Sequence, residues 1–298
     1  MSDGLRSFRG AVAIISGGAS GIGRSIGTVL AHRGAHVVLA DLQTDLAEEV
    51  AGEIRSAGGA ATVAELDVTD FDATERLVQQ TVAEHGRLDY IFNNAGIGIG
   101  GVVRLYEIAD WYKVLDVNLR GVVNGVQAAY PVMCEQGFGH IVNTASMAGL
   151  MPSPSIVSYA TSKHAVVGLS TSLRIEAETA GVRVSVLCPG VIRTAILEAG
   201  GKFGKSLEDD QGEIQRQMLE RYKPMDPHDF AEQALKQIAA NKPIIVLPRK
   251  WKLFWWAYRL SPRLGLYLSR TSFLDSVRKS RNQSETDRQV PVETITQS

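Results

Sequence analysis

Tyr159 and Lys163 stand four residues apart in Tyr-Ala-Thr-Ser-Lys, a spacing that puts both on one face of a helix and an ammonium beside a phenol. A phenol with an unperturbed pKa of about 10 is a poor base at neutral pH, but a neighbouring cation favours its phenolate. The pair could then take a proton from an alcohol, although two surface side chains would show the same spacing. A second group of residues suits phosphate. Ser16-Gly17-Gly18-Ala19-Ser20-Gly21-Ile22-Gly23 follows an apolar run and opens a helical one, placing glycines where backbone must approach a pyrophosphate at a helix N-terminus. The spacing is G-x-x-x-G-x-G, and a tight turn alone would also use it. Asp41 ends the next apolar run, 18 residues beyond Gly23, where a carboxylate could accept hydrogen bonds from an adenosine ribose or merely cap a strand. The order of run, glycines, helix, run and Asp favours nucleotide binding. Asp67-Val68 and Asn93-Asn94-Ala95-Gly96 follow the third and fourth runs, both at the edge where an open α/β sheet takes its ligand, although ordinary turns would use the same residues, and Ser146 follows the fifth run.

The elements that must position these residues alternate. Short Val- and Ile-rich runs predict strands near 11–16, 35–40, 61–66, 88–93, 139–145, 182–188 and 244–247. Helical periods fall near 21–33, 45–57, 70–85, 104–136 (broken around Leu119 to Gly121), 156–180 and 227–240, and Gly34, Gly58, Gly86 and Gly181 mark helix ends. This is an α/β pattern of βαβ units, hence a Rossmann-type, doubly wound parallel sheet of about seven strands. One catalytic domain is expected over 1–248, a basic, aromatic helical extension over 249–275, and a disordered tail over 276–298. The connection from Thr194 to Met225, with Gly200, Gly201 and Gly204, is long enough to be a lid.

Composition narrows the function classes. Lys plus Arg number 31 and Asp plus Glu 32, a net charge of −1, so no global basic field exists to hold nucleic acid. Cys134 and Cys188 sit in apolar surroundings without CxxC spacing, which suits a reducing compartment and suggests neither disulfide nor zinc. His32 and His36 have an i, i+4 spacing, but Gly34 should end the helix between them, so no metal site is expected. No apolar stretch approaches the ~20 residues of a membrane span or reads as a signal peptide, and a cytoplasmic, possible peripheral membrane location is expected.

In order and register these residues resemble the short-chain dehydrogenase/reductase (SDR) family over about residues 8 to 248. The match comprises Ser16 to Gly23, with Ser where the family usually has Thr, then Asp67, Asn93-Asn94-Ala95-Gly96, Asn118, Ser146, Tyr159/Lys163 and Pro189-Gly190 followed by Thr194. The resemblance implies an NAD(P)-dependent oxidoreductase in which Asn118, Ser146, Tyr159 and Lys163 are catalytic. Tyr159 moves the proton, Ser146 hydrogen-bonds the reacting oxygen, Lys163 holds the nicotinamide ribose and Asn118 supports a relay water. Cofactor contacts would come from Ser16, Gly17, Ser20, Gly21, Ile22, Gly23, Asp41, Asp67, Val68, Asn94, Ala95, Gly96, Tyr159, Lys163, Pro189, Gly190, Ile192 and Thr194. Asp41 would repel the 2′-phosphate of NADP, and Leu42-Gln43 supplies no cation, so NAD is favoured over NADP. Arg24 reads as an ordinary exposed arginine. The helices near 104–136 and 156–180 resemble those that pair subunits, which implies a homodimer or homotetramer.

By the same resemblance Ile97, Met147, Leu150, Met151, Val191 and Ile192, with Leu197, Phe203 and Met218 in the lid, are expected near the nicotinamide, although apolar residues could equally be core, and Arg193, the one charge close to them, could as easily point to solvent. The set implies a hydrophobic secondary alcohol or ketone, steroid-like or long-chain. Alternatives are an NADPH-dependent ketoreductase of carrier-bound acyl groups and an NAD-binding sensor without turnover. From Asn241 to Leu274 there are seven basic residues and no acidic one, with Trp251, Trp255, Trp256, Phe254, Tyr258 and Tyr267. Apolar surface around most of a helix must be buried in something. The occupant could be the substrate mouth, a neighbouring subunit or an anionic membrane touched through 249–270. Ser261-Pro262 divides the segment into two helices.

Overall fold

Valine and isoleucine crowd the apolar runs because those runs are strands covered on both faces. A computed structural model describes residues 4–5, 7–197, 204–207, 220 and 222–288. In chain order the strands are β1 (Val12–Ser16), β2 (His36–Asp41), β3 (Ala60–Glu65), β4 (Tyr90–Asn93), β5 (Gly98–Gly100), β6 (Gly139–Thr144), β7 (Val182–Pro189), β8 (Gly204–Ser206) and β9 (Ile244–Leu247). Seven of them form one parallel sheet in the order β3-β2-β1-β4-β6-β7-β9. The order reverses between β1 and β4, which opens a crevice beyond their C-terminal ends.

The helices are α1 (Gly21–His32), α2 (Thr44–Ser56), α3 (Phe71–His85), α4 (Ile108–Leu115), α5 (Gly121–Gln136), α6 (Val157–Ala177), α7 (Pro227–Ala239), α8 (Lys250–Leu260) and α9 (Pro262–Arg288). Successive strand residues face opposite layers. Ile15, Leu39, Phe92 and Leu187 pack with Ile26 and Leu30 of α1, Ile54 of α2 and Phe230 and Leu235 of α7. Ile14, Val38, Ile91 and Val184 pack with Val78 of α3 and Ala129 and Met133 of α5. Asp70 and Asp226 cap α3 and α7 by accepting backbone N–H groups, the latter with Pro227 as first helical residue. Gly34, Gly58, Gly86 and Gly181 take left-handed φ at the expected helix ends.

Two expectations need correction, and one pairing was not foreseen. The span near 104–136 holds two α-helices as expected, but their junction around Leu119 to Gly121 is a π turn over Asp116–Arg120 rather than a break. Such a turn widens a helix by one residue without ending it, so no Gly or Pro signal is required. The second helix of the extension runs on to Arg288, through part of the span expected to be disordered. Finally, β5 and β8 pair in parallel, so the connection after β7 crosses back to the segment after β4. Strands of three residues are too short to leave a periodic signal.

Candidate active site

The glycine loop is locked to its neighbours through backbone. At the end of β1 the Ser16 hydroxyl donates to the Phe92 carbonyl (3.2 Å) and accepts the N–H groups of Asn94 (3.0 Å) and Ala95 (3.2 Å), so the hydroxyl is what the position requires. Gly17 takes φ +67°, and a Cβ on Gly23 would lie 2.0 Å from the Gly17 carbonyl oxygen, so α1 can start here only with glycine. No acidic residue and no side-chain cap neutralise the first turn of α1, leaving its N-terminal dipole for an anion. Buried Asp41 accepts the Ala19 N–H through Oδ2 and the Gln43 N–H through Oδ1, both at 3.0 Å. Its remaining lone pairs face the same cleft that Gly17, Ser20, Gly21 and Ile22 line.

Ser146, at the end of β6, and Tyr159 and Lys163, one turn apart on α6, meet at the other end of that cleft. Ser146 and Tyr159 line this end of the cleft together. Lys163 Nζ donates to the Thr144 carbonyl (2.8 Å) and stands 5.5 Å from the centre of the Tyr159 ring, over its face rather than at its oxygen. Burial pushes the Tyr159 phenol above its ordinary value, Ser146 pulls it back towards ionisation, and Cys188 adds a smaller upward push. Lys163 is not among the groups that shift the phenol, and burial depresses the lysine itself to about 8. Fully buried Cys188 closes this cluster from β7. Burial holds its thiol at about 12, so it is neutral beside the phenol. Its apolar neighbours in sequence hid this placement, because facing residues on α6 are read only from the fold.

Asn118 does not line the cleft. It is fully buried in the π turn, where Oδ1 accepts the Ile97 N–H (2.8 Å) and Nδ2 donates to the Ile97 carbonyl (2.9 Å) and the Ser162 hydroxyl (3.3 Å). Its amide thus holds the segment after β4, directly behind Gly96, whose Cβ would come 3.2 Å from Asn118 Oδ1. Ser16 and Gly23 likewise support the loop from behind. The other expected cofactor residues all line one cleft of about 640 Å³: Asp67, Val68, Asn94, Ala95, Gly96, Pro189, Gly190, Ile192 and Thr194 join those already named.

Ile97, Met147, Met151, Val191 and Ile192 wall the same cleft. Leu150 does not; it packs in the core with Val122, Val166 and Val246. Arg193 points away, pairing with Glu220 at 3.0 Å on the surface. The Leu197 side chain, Phe203 and Met218 lie outside the described residues. Residues not anticipated on this wall include Ile156 and Ile196. Trp251 joins them from the C-terminal extension, in line with the reading that set this segment over the substrate mouth.

The arrangement can bind a dinucleotide and pass a proton to or from an oxygen beside it. A family model described as short chain dehydrogenase matches residues 11–202. The probable oxidoreductase EphD of Mycobacterium tuberculosis (strain H37Rv) is 36% identical over 245 residues, which is 80% of this chain and 41% of that protein. The chain thus spans about two fifths of the length of the first curated relatives it matches. An uncharacterized oxidoreductase of Staphylococcus aureus (strain N315) is 32% identical over 79% of this chain and 94% of its own length. Among solved structures, a short-chain dehydrogenase/reductase from Burkholderia phymatum in complex with NAD has a TM-score of 0.74 at 29% identity, covering 98% of this chain and 100% of that one. Levodione reductase has a TM-score of 0.72 at 28% identity, covering 80% and 96%.

Proposed function

The chain belongs to the short-chain dehydrogenase family, and from that premise we propose that it is an NAD-dependent oxidoreductase interconverting a hydrophobic secondary alcohol and its ketone. One observation carries the reading. Tyr159, Ser146 and Lys163 open into the same cleft as the glycine loop and Asp41, between walls of Met147, Met151, Val191 and Ile192.

A nicotinamide cofactor, when bound, supplies the hydride chemistry. The residues present fit it: backbone N–H groups and close-packed glycines for a pyrophosphate, the Asp41 carboxylate for an adenosine ribose, and Lys163 for the second ribose. Tyr159 is the acid and base. In alcohol oxidation its phenolate accepts the hydroxyl proton, and in ketone reduction its hydroxyl returns one. The Ser146 hydroxyl orients the same oxygen and stabilises the phenolate. Asn118 acts through Ile97 and Ser162, as a positioning residue. Since Ser162 Oγ donates to the Tyr159 carbonyl (2.7 Å), the same bonds steady the turn of α6 that carries Tyr159.

Asp41 supports NAD over NADP, because a carboxylate repels a 2′-phosphate. Arg24, the nearest candidate to counter it, pairs with both Glu53 oxygens at 3.0 and 2.7 Å and is absent from the cleft wall. The decisive experiment follows nicotinamide absorbance with NAD and NADP across secondary alcohols and ketones of increasing size. Turnover that favours NAD and larger apolar substrates is expected. NADP-selective turnover would point to a biosynthetic ketoreductase, and cofactor binding without turnover to a sensor.

Two further readings concern assembly. Exposed Val123 on α5 and Ile175 on α6 support pairing of copies through those helices as a homodimer or homotetramer. The outer face of α8 and α9 exposes Leu253, Phe254, Trp256, Leu260, Leu264 and Tyr267 within the segment of seven cations and no acid. Self-pairing there would bring like charges together, whereas an anionic lipid surface complements them. This favours a cytoplasmic enzyme peripherally bound to membrane.

A further inference from the structure

Trp251, on the first turn of α8, and Ile196 both line the cleft, and Ile196 is 37% exposed, so the wall they share reaches the surface. Apolar surface continues from there. The Trp251 ring centre lies 5.2 Å from that of Tyr222 and 5.6 Å from that of Phe254, and both neighbours are exposed. Around the axis of α8, Phe254 sits roughly 60° from Trp251 and roughly 100° from Leu253, so it joins the cleft side of the helix to the outer one. Leu253, Trp256 and Leu260 then present large apolar side chains to solvent, and Leu264 and Tyr267 of α9 add to them. The inner end of this band is fixed. A Cβ built on Gly190 would stand 2.2 Å from the Trp251 indole, and Lys250 Nζ ties the first turn of α8 to the Tyr222 carbonyl. From Asn241 to Leu274 the chain holds seven cations and no acid. Like charge opposes a second copy on this face, and an anionic lipid surface complements it.

We propose that the cleft takes its substrate directly from an anionic lipid surface, with the band from Trp251 through Phe254 to Leu253 as the path between bilayer and active site. The inference rests on the proposed reaction and on the proposed membrane contact. An apolar molecule that leaves lipid through water is hydrated along its whole length, whereas one that passes over aromatic and aliphatic side chains stays largely out of water. The band ends at the wall of Met147, Met151, Val191 and Ile192, which is apolar as well. The substrate class is therefore a ketone or secondary alcohol on a hydrocarbon chain or ring system that partitions into lipid, and it reaches the enzyme in that phase.

Two ketones separate the routes, a short one dissolved in water and a long one carried in vesicles, such as methyl propyl and methyl pentadecyl ketone, drawn from those the wild type reduces with NADH. The long ketone is offered at one mole fraction in vesicles with and without phosphatidylserine, which matches its concentration in the water and changes only the attachment of the enzyme. Wild-type turnover should be roughly tenfold or more faster from the anionic vesicles, as a raised local concentration implies, and high salt should erase the advantage. The short ketone should be reduced equally in both. Phe254→Ser interrupts the band and leaves Leu253, Trp256 and Leu260 for the lipid. Counted per vesicle-bound molecule and against its own rate on the short ketone, it should lose most of the advantage. Full advantage in that variant, or equal rates from both vesicles by wild type that sediments with the anionic ones, would overturn the inference and leave the membrane contact standing. Wild type that does not sediment would remove both, as would a smaller particle on Leu253→Glu with Trp256→Glu, which gives the face to a second copy. Failure of the wild type on every ketone would instead sink the proposed reaction, and this inference with it.

Discussion

Tyr159 carries the proton in the proposed reaction, so its protonation state sets the pH response of each direction. Burial raises its pKa, and oxidation needs the phenolate while reduction needs the phenol. Over the alkaline range kcat/KM should rise with pH for alcohol oxidation and fall for ketone reduction. Tyr159→Phe should lower kcat by about 10²- to 10⁴-fold, the usual worth of a positioned acid or base, with NAD affinity nearly intact. Steady-state rates and a binding titration check both; a few-fold loss would remove Tyr159 from the chemistry. Asp41 is a harder residue to test, because its carboxylate also holds the N–H groups of Ala19 and Gln43. Asp41→Asn removes the charge and keeps an acceptor, so it should narrow the NAD over NADP preference by roughly tenfold or more, the scale of a charged hydrogen bond. An unchanged ratio of kcat/KM values would show that selectivity arises elsewhere. Both residues were legible in the sequence because each lies at a fixed distance from a strand end. Cys188 was not, since nothing in its neighbours along the chain reveals that Tyr159 and Lys163 face it.

At the level of elements, β6 is joined to β7 by more than its ladder. Fully buried His140 hydrogen-bonds Ser185 through Nε2 at 2.9 Å, and burial, reinforced by Arg183 and Arg174, lowers its pKa to about 3. The unfolded chain takes up this proton near the ordinary value of about 6.5, and the folded protein does not. Unfolded chains thus bind more protons between those two values, so stability falls as pH drops through that window. The full loss is of order 5 kcal/mol for a shift of this size. His140→Asn should flatten the dependence of Tm on pH between about 6 and 4, whatever it does to Tm at pH 7. A slope as steep as that of wild type would assign the acid response to other groups. The sequence marked β6 as a buried strand but gave His140 no role, because the partner Ser185 is 45 residues away.

For the molecule as a whole, the extension has two distinct faces. Trp251 and Trp255 turn inward, while Leu253, Trp256 and Leu260 are 75%, 53% and 81% exposed beside Lys250, Lys252 and Arg259. Tyr258 packs so closely on Gly265 that a Cβ there would stand 2.2 Å from its ring, which folds α8 against α9 and leaves the outer face broad. Among the described residues no helix is long and apolar enough to cross a membrane. The protein should therefore sediment with phosphatidylserine-containing vesicles at low salt, dissociate as salt rises, and ignore purely zwitterionic vesicles. Leu253→Glu combined with Trp256→Glu should abolish sedimentation without touching the cleft. Should that double variant instead reduce the particle size by light scattering, the face joins copies of the chain.

The seven strands of the main sheet with the helices between them, the glycine loop and the four motif positions were read from the sequence itself, because each depends on periodicity or spacing within about twenty residues. Ser16, Asp41, Ser146 and Tyr159 are placed by the ends of their own elements. What the tertiary structure alone decided depends on contacts between distant segments. Asn118 became a backbone clamp on Ile97 because a π turn aimed it behind the site. Leu150, as apolar as Met147 and Met151, went to the core because α5, α6 and β9 cover it. Trp251 entered the cleft because the path of α8 carried it across Gly190, 61 residues back along the chain. Apolar character sets how much a side chain gains from burial, but which surface buries it is settled only when the layers close.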